Sequence, residues 1–213
     1  MAKPVIYGPA YSTYARTVRL ALEEKGVDYD LVEVDILKGE NQTPEHLARH
    51  PFAKVPAFEH DGFALYETDA IVRYIAETFP GTDLVPADAR SRARMNQALS
   101  IIGGYAYPCM IGQIFIQRAV MPMLGNASDE AAIAAAVPNA ETCLKALEAL
   151  IDGNRYLAGD QLSLADLLLA PVYDYVSQTP EGEQLLQGTP NLRRWWGEMR
   201  TRPTVEKTKP ALG

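Results

Sequence analysis

The feature that most constrains this chain is the stretch 54–74, KVPAFEHDGFALYETDAIVRY. Two short strand-like runs, 55–59 and 63–66, flank Asp61-Gly62, a dipeptide that favours a tight hairpin. From Thr68 the period changes, and Ile71, Tyr74 and Ile75 recur at i, i+3 and i+4, the spacing of one buried helix face. Val55-Pro56 sets an X–Pro bond at the start of the first strand, a place where a cis peptide can turn a backbone N–H and C=O outward. Glu67-Thr68 puts a carboxylate and a hydroxyl at a helix start, where free N–H groups and the positive dipole end attract an anion. An outward backbone edge beside a carboxylate and an anion nest suits a small zwitterionic peptide. A hairpin and a capped helix in any α/β domain would read the same way.

The rest of the first part supplies the partners of that hairpin. Residues 4–7 read as a short buried strand, broken at Gly8-Pro9. Residues 15–25 have helical spacing with Val18, Ala21 and Leu22 inward, and Gly26 stops the helix. A second strand at 29–34 completes a βαβ unit, whose crossover should be right-handed with parallel strands. A polar loop (35–43) and a short helix (44–49) follow. The order β-α-β-α-β-β-α is that of a thioredoxin-like domain, here spanning 1–80. The turn-rich PGTDLVPAD at 80–88 marks a linker at 81–90. Beyond it no strand pattern occurs, and 91–213 reads as an all-helical domain.

In that second part a long helix begins at 90, disturbed at Gly103-Gly104 and Pro108, with 110–124 continuing it or starting another. A further helix (129–151) is interrupted by Pro138. The best-signed helix is 163–177: Ser163 and Asp166 have capping-box spacing, and its body is apolar nearly all round. Asp166 is therefore expected to be structural. A last amphipathic helix, 190–202, carries Trp195 and Trp196, and the tail past Pro203 is expected to be loose.

Read together, HPFAKVPAF (50–58), LYETDAIVRYIA (65–76) and LSLADLLLAPV (162–172), in this order and spacing, resemble the glutathione transferases over essentially the whole chain. The resemblance implies an α/β plus all-α architecture, with a thioredoxin-like glutathione-binding half and a helical half that receives the electrophile. It implies that Val55, beside a cis Pro56, pairs with the cysteinyl backbone of glutathione, and that Glu67 and Thr68 hold its γ-glutamyl end. In such proteins the side chain at the start of the first helix selects the subclass. In YGPAYSTYARTV (7–18), the spacing of Ser12 to Arg16 and Val18 resembles the serine-type, phi- and theta-like members. No cysteine lies in the first domain, which argues against the cysteine-type reductases. Ser12 is accordingly the candidate catalytic residue, a hydrogen-bond donor to the thiolate, although a serine there can also merely cap the helix. Tyr7 is a rival expected to pack instead, and Tyr11 can line the pocket or replace the serine.

For the glycyl carboxylate, phi-like members place basic or histidine residues in the loop after the second strand. Here Asn41 and Gln42 stand in that place, so Asn41 and Lys54 are the candidates. The electrophile is expected between the domains, against Tyr11, Tyr105, Tyr107, Met110 and Ile111, an apolar and aromatic set that also reads as plain core. The net charge of −7 makes local groups, not the overall field, responsible for any anionic ligand, and the lack of a basic run argues against nucleic acid or a polybasic membrane contact. Cys109 and Cys143 are far apart in sequence, without metal-ligand spacing, as in a reduced intracellular chain. No apolar run is expected to reach the ~20 residues that span a bilayer. The expectation is a cytoplasmic homodimer using glutathione as co-substrate, with no metal and no permanently bound cofactor, acting on a small hydrophobic electrophile. A glutathione-dependent isomerase, dehalogenase or ether-cleaving enzyme, or a non-catalytic binder, are the alternatives.

Overall fold

The structure, a computed structural model, describes residues 2–210. The chain forms two compact units. One runs to Asp83 and takes in again the segment that begins at Thr201, and the other is Leu84–Arg200.

The first unit is built on a four-stranded sheet in the order β2-β1-β3-β4. β1 (Val5–Tyr7) pairs in parallel with β2 (Asp30–Val32) and antiparallel with β3 (Ala57–His60), which pairs antiparallel with β4 (Phe63–Tyr66). The hairpin closes through Asp61 and Gly62, both at positive φ (49° and 77°), as a two-residue turn of this hand requires. β3 begins at Ala57, two residues later than the sequence pattern suggests, because Pro56 has no N–H to give a ladder. Helices α1 (Thr13–Lys25), α2 (Pro44–Arg49) and α3 (Thr68–Thr78) complete the βαβαββα order. The fold is the expected thioredoxin-like domain followed by helices. α1 ends where Gly26 takes the left-handed conformation at φ 69° and its N–H closes the last turn.

The tail past Pro203 is not loose. It forms α10 (Pro203–Thr208), with Val205 and Thr208 buried, and returns to α1. Arg202 grips the buried Glu24 carboxylate with two hydrogen bonds (2.9 and 2.7 Å), and Thr204 adds a third at 2.5 Å. Arg16 and Arg19, both buried on α1, reach the carbonyls of Val205 and Thr208 at 3.4 and 3.1 Å. These pairings join residues far apart in sequence, so helical periodicity carried no sign of them.

In the second unit α4 (Ala89–Ile101) runs on as a π-helical stretch, Ile102–Val120, and ends in α5 (Met121–Met123). Regular winding would set the Pro108 ring against the carbonyl four residues back, and the chain instead takes the wider i→i+5 turn. Ala89–Met123 is one helix, so 110–124 continues what begins at 90, and it contains an apolar stretch that could cross a membrane by length and composition, whereas no such run was expected from the sequence. The core helix of a globular unit passes the same test. Here Met95, Leu99, Ile102, Met110 and Ile114 are fully or almost fully buried, and the helix packs on α6 (Glu130–Ile151) and α7 (Leu164–Val176).

Asp166 explains how α7 is held. Its carboxylate is fully buried and accepts from Ser163 N (2.9 Å), Ser163 Oγ (2.8 Å), Leu157 N (3.0 Å) and Trp195 Nε1 (2.9 Å) on α9 (Pro190–Met199). Burial pushes this carboxyl up, and the four donors oppose it. The residue is structural, as its place in the capping box predicts.

Candidate active site

The site grows from the turn after β1. At Gly8 two segments lie close together: a Cβ there would stand 3.3 Å from Val55 Cβ and 3.6 Å from Pro56 Cα. This contact places the turn leading into α1 directly against the Val55-Pro56 peptide, which is cis. Four residues on, Ser12 is the N-cap of α1 with an extended backbone, and its Oγ accepts from Ala15 N at 3.3 Å. Capping uses the oxygen as an acceptor, so the hydroxyl proton remains free to donate to something else. Ser12 is part-exposed, whereas Arg16, one turn further along, is buried against the returning C-terminal segment. Arg19 also donates to the Ala10 carbonyl at 3.4 Å, tying the turn itself to α1.

The Val55-Pro56 edge is held by two side chains. Asn41 Nδ2 donates to the Ala53 carbonyl at 2.8 Å, and His46 Nε2 to the Lys54 carbonyl at 2.7 Å. A carbonyl only accepts, so His46 carries its proton on Nε2, and its buried Nδ1 has no partner among the described residues. Ala53 itself sits at φ 53°. The sequence marks Asn41 as a ligand candidate, while the structure turns its amide inward onto the backbone. The sequence does not mark His46 as a site residue; its place as the third residue of α2, a few residues before the Val-Pro pair, is the available signal. The Lys54 side chain is exposed.

At the other end of the hairpin, Glu67 caps α3 with no side-chain hydrogen bond to the helix and a φ of 72°. A non-glycine residue in that region costs of order 1–3 kcal/mol and clusters at ligand sites. Its side chain is exposed, while Thr68, the first residue of α3, is buried. The His50 ring lies 5.0 Å from that of Tyr66. Burial lowers the His50 pKa, with Glu67 opposing and His46 and Lys54 adding to the fall.

Tyr7 is occupied elsewhere. Its hydroxyl donates to Glu59 Oε2 at 3.3 Å and its ring carries the Arg49 guanidinium 4.2 Å above it. Tyr11 turns its hydroxyl toward the backbone of Ile36 and Leu37. Burial pushes this phenol up, and the charges of Asp35 and Glu33 push the same way. In the second unit, Met110 and Ile111 are buried, Tyr107 is part-buried and Tyr105 is 68% exposed. Among the described residues no group of His, Cys, Asp and Glu is arranged to hold a metal ion.

Residues 5–77 match the family model described as glutathione S-transferase, N-terminal domain, and residues 100–203 match the C-terminal domain of the same family. The chain belongs to the glutathione S-transferase family. Glutathione S-transferase 3 of Zea mays is 34% identical over 214 aligned positions, covering 100% of this chain and 96% of its own. The crystal structure of glutathione transferase F7 from Populus trichocarpa superposes with a TM-score of 0.88 at 34% identity, covering 96% of this chain and 97% of that one. Glutathione S-transferase I from maize, solved with an atrazine–glutathione conjugate, superposes at 0.84 with 31% identity over 97% and 96% of the two chains. The resemblance read from the three sequence phrases is therefore correct, and glutathione is the co-substrate of such enzymes.

Proposed function

We propose that this glutathione transferase ionises the glutathione thiol with the Ser12 hydroxyl and presents the thiolate to a small hydrophobic electrophile. The tripeptide lies along Val55-Pro56, with its γ-glutamyl end at Glu67 and Thr68 and its glycyl carboxylate toward Lys54. Asn41 serves from behind, by fixing the Ala53 carbonyl. The observation that carries this reading is the close approach of Gly8 to Val55 and Pro56, which brings the Ser12 turn against the docking edge.

Magnitudes support a serine in this role. A thiol of pKa ~8.5 is a few per cent ionised at neutral pH, and lowering that value by ~2 units takes ~3 kcal/mol of preference for the thiolate. A hydrogen bond to a charged acceptor supplies ~1.5–3 kcal/mol. The N-terminus of α1 adds ~0.3–1 kcal/mol. Together they suffice, and Ser12 keeps its proton throughout. The sulfur attacks, the electrophile's leaving group or π-bond takes the displaced electrons, and the thioether product departs.

The acceptor is assigned to the helical half, with Tyr105 and Tyr107 of the π-helical stretch as its aromatic contacts. The atrazine–glutathione conjugate held by the maize relative favours an aromatic ring bearing a displaceable group as the first acceptor to assay. The protein is read as a cytoplasmic homodimer with no permanent cofactor. Difference absorbance of bound thiolate against pH tests the assignment. Ser12→Ala should raise the pKa of bound glutathione by about 1–2 units and cut turnover at least tenfold, with retention on immobilised glutathione preserved. An unchanged thiol pKa removes Ser12 from the mechanism, and retention without turnover of any electrophile in the wild type makes the protein a binder.

A further inference from the structure

α4 runs against helix electrostatics. Its residues, ARSRARMNQALSI, include Arg90, Arg92 and Arg94 and no acid, in a chain whose net charge is −7. Cations at the positive end of a helix dipole are unfavourable, and Arg90 and Arg94, four apart, repel each other on one face. Arg92 has a structural use, donating to the Pro86 and Ala87 carbonyls at 3.1 and 2.9 Å. Among the described residues Arg94 reaches only Gln97, at 2.8 Å, and the Arg90 guanidinium has no hydrogen bond or ion pair.

These two arginines stand on the rim of a cavity of about 580 Å³ within the second unit, between α4, the end of α6 and the turn that follows it. Leu157 and Ala158, both buried, form its floor, flanked by the half-buried Ile101 and Leu150. The rim on the α6 side carries Asp152 and Asn154. Asp152 holds a positive φ of 28°, a conformation that clusters at ligand sites. The Asn154 N–H donates to the Ile151 carbonyl at 2.7 Å and the Asn154 carbonyl accepts from Arg194, which fixes this side. All three charged groups line one cavity, yet among the described residues no ion pair joins Asp152 to either arginine. The rim therefore presents separated charges of both signs over an apolar floor.

Such a surface is complementary to a ligand that is itself bipolar: carboxylates for the arginines, an ammonium for Asp152, amides for Gln97 and Asn154, and an apolar body for the floor. A plain hydrophobic anion would set a like charge beside Asp152 and leave the side-chain amides unused. A glutathione S-conjugate carries the full inventory: two carboxylates, one ammonium, two peptide bonds and an apolar substituent on sulfur. We propose that this cavity is a second, non-catalytic binding site for glutathione S-conjugates, the thioether products of the reaction assigned above, on which the choice of ligand rests. Glutathione itself has no substituent for the floor, so the site selects product over co-substrate. It lies wholly in the second unit, whereas Ser12, Val55 and Glu67 belong to the first.

The test is equilibrium dialysis of the purified full-length chain against S-(2,4-dinitrophenyl)glutathione, read by the absorbance of the ligand. The expected result is two molecules bound per chain, of which excess glutathione displaces one. Arg90→Glu combined with Arg94→Glu should weaken the undisplaced molecule at least tenfold, with turnover and melting temperature kept, because acids suit the start of a helix. Asp152→Asn should weaken it several-fold, while the binding of 2-naphthalenesulfonate, which has no ammonium, should not fall. The proposal is overturned if excess glutathione displaces everything bound to the wild type, a reading that needs no variant. It is equally overturned if the double charge reversal leaves the undisplaced molecule in place, or if Asp152→Asn has no effect on the conjugate. A wild type that binds a single molecule, untouched by glutathione and lost on charge reversal, supports this site and overturns the reading of the catalytic one.

Discussion

Replacing Asp166 by alanine should be among the most damaging single changes in the second unit. The substitution strands three buried N–H donors that cannot reorient, those of Ser163, Leu157 and Trp195, whereas the Ser163 hydroxyl can turn to another acceptor. Each stranded buried donor costs ~1–3 kcal/mol, and relaxation keeps the total below the simple sum. A loss of ~3–5 kcal/mol follows, the range found when one member of a buried charged network is removed. Against a total stability of ~5–15 kcal/mol this is a large fraction, and it lowers the melting temperature by roughly 10 °C. Asp166→Asn retains one acceptor oxygen but aims an NH2 group at a donor, so about half that loss is expected. Urea unfolding followed by tryptophan fluorescence measures it directly, since Trp195 is itself one of the donors. At low temperature the folded variant should keep its KM for glutathione. A loss below about 1 kcal/mol in the alanine variant would show that the four donors do not depend on this carboxylate.

Other expectations test other parts of the fold. His46→Ala frees the Lys54 carbonyl and should raise the glutathione KM several-fold with kcat little changed, and His46→Gln, which restores a donor, should recover part of the loss in steady-state assays. His50 has a folded pKa below its ordinary 6.5, so it stays neutral in the fold and protonates more readily when unfolded. The stability this represents is present above pH 6.5 and is lost as the pH falls below that value, where His50→Gln should flatten the decline in urea midpoint. Gly182→Ala would put a Cβ 1.8 Å from the Val176 carbonyl oxygen and should cost ~3 kcal/mol or more by thermal melting. Gly197→Ala, in α9 with open space around it, should instead stabilise by ~0.5–1 kcal/mol.

Much of this was legible in the sequence because it is local. Gly26 at the end of α1, the Asp61-Gly62 turn and the Ser163–Asp166 box each announce themselves within four residues, and the strand and helix order follows from them. What could not be read is what depends on distant partners. Gly103-Gly104 and Pro108 look like breaks, and only packing against α6 and α7 makes one continuous helix of Ala89–Met123. Asn41 is a plausible ligand residue by position, and its turn toward Ala53 appears only once the loop is folded. The Ser12 assignment falls between the two cases: its cap geometry is local, but its value for chemistry depends on the approach of Gly8 to Val55 across the sheet.

The return of Thr201–Thr208 to α1 has a consequence for biosynthesis. Residues 1–83 emerge from the ribosome first, yet Arg16 and Glu24 find their partners at 202–205, among the last residues to be translated. The nascent first unit must therefore wait, with an ionic seam open to solvent and to chaperones, until the second unit has been made. A gene fragment ending at residue 83 encodes the whole sheet but lacks the clasp that packs against α1.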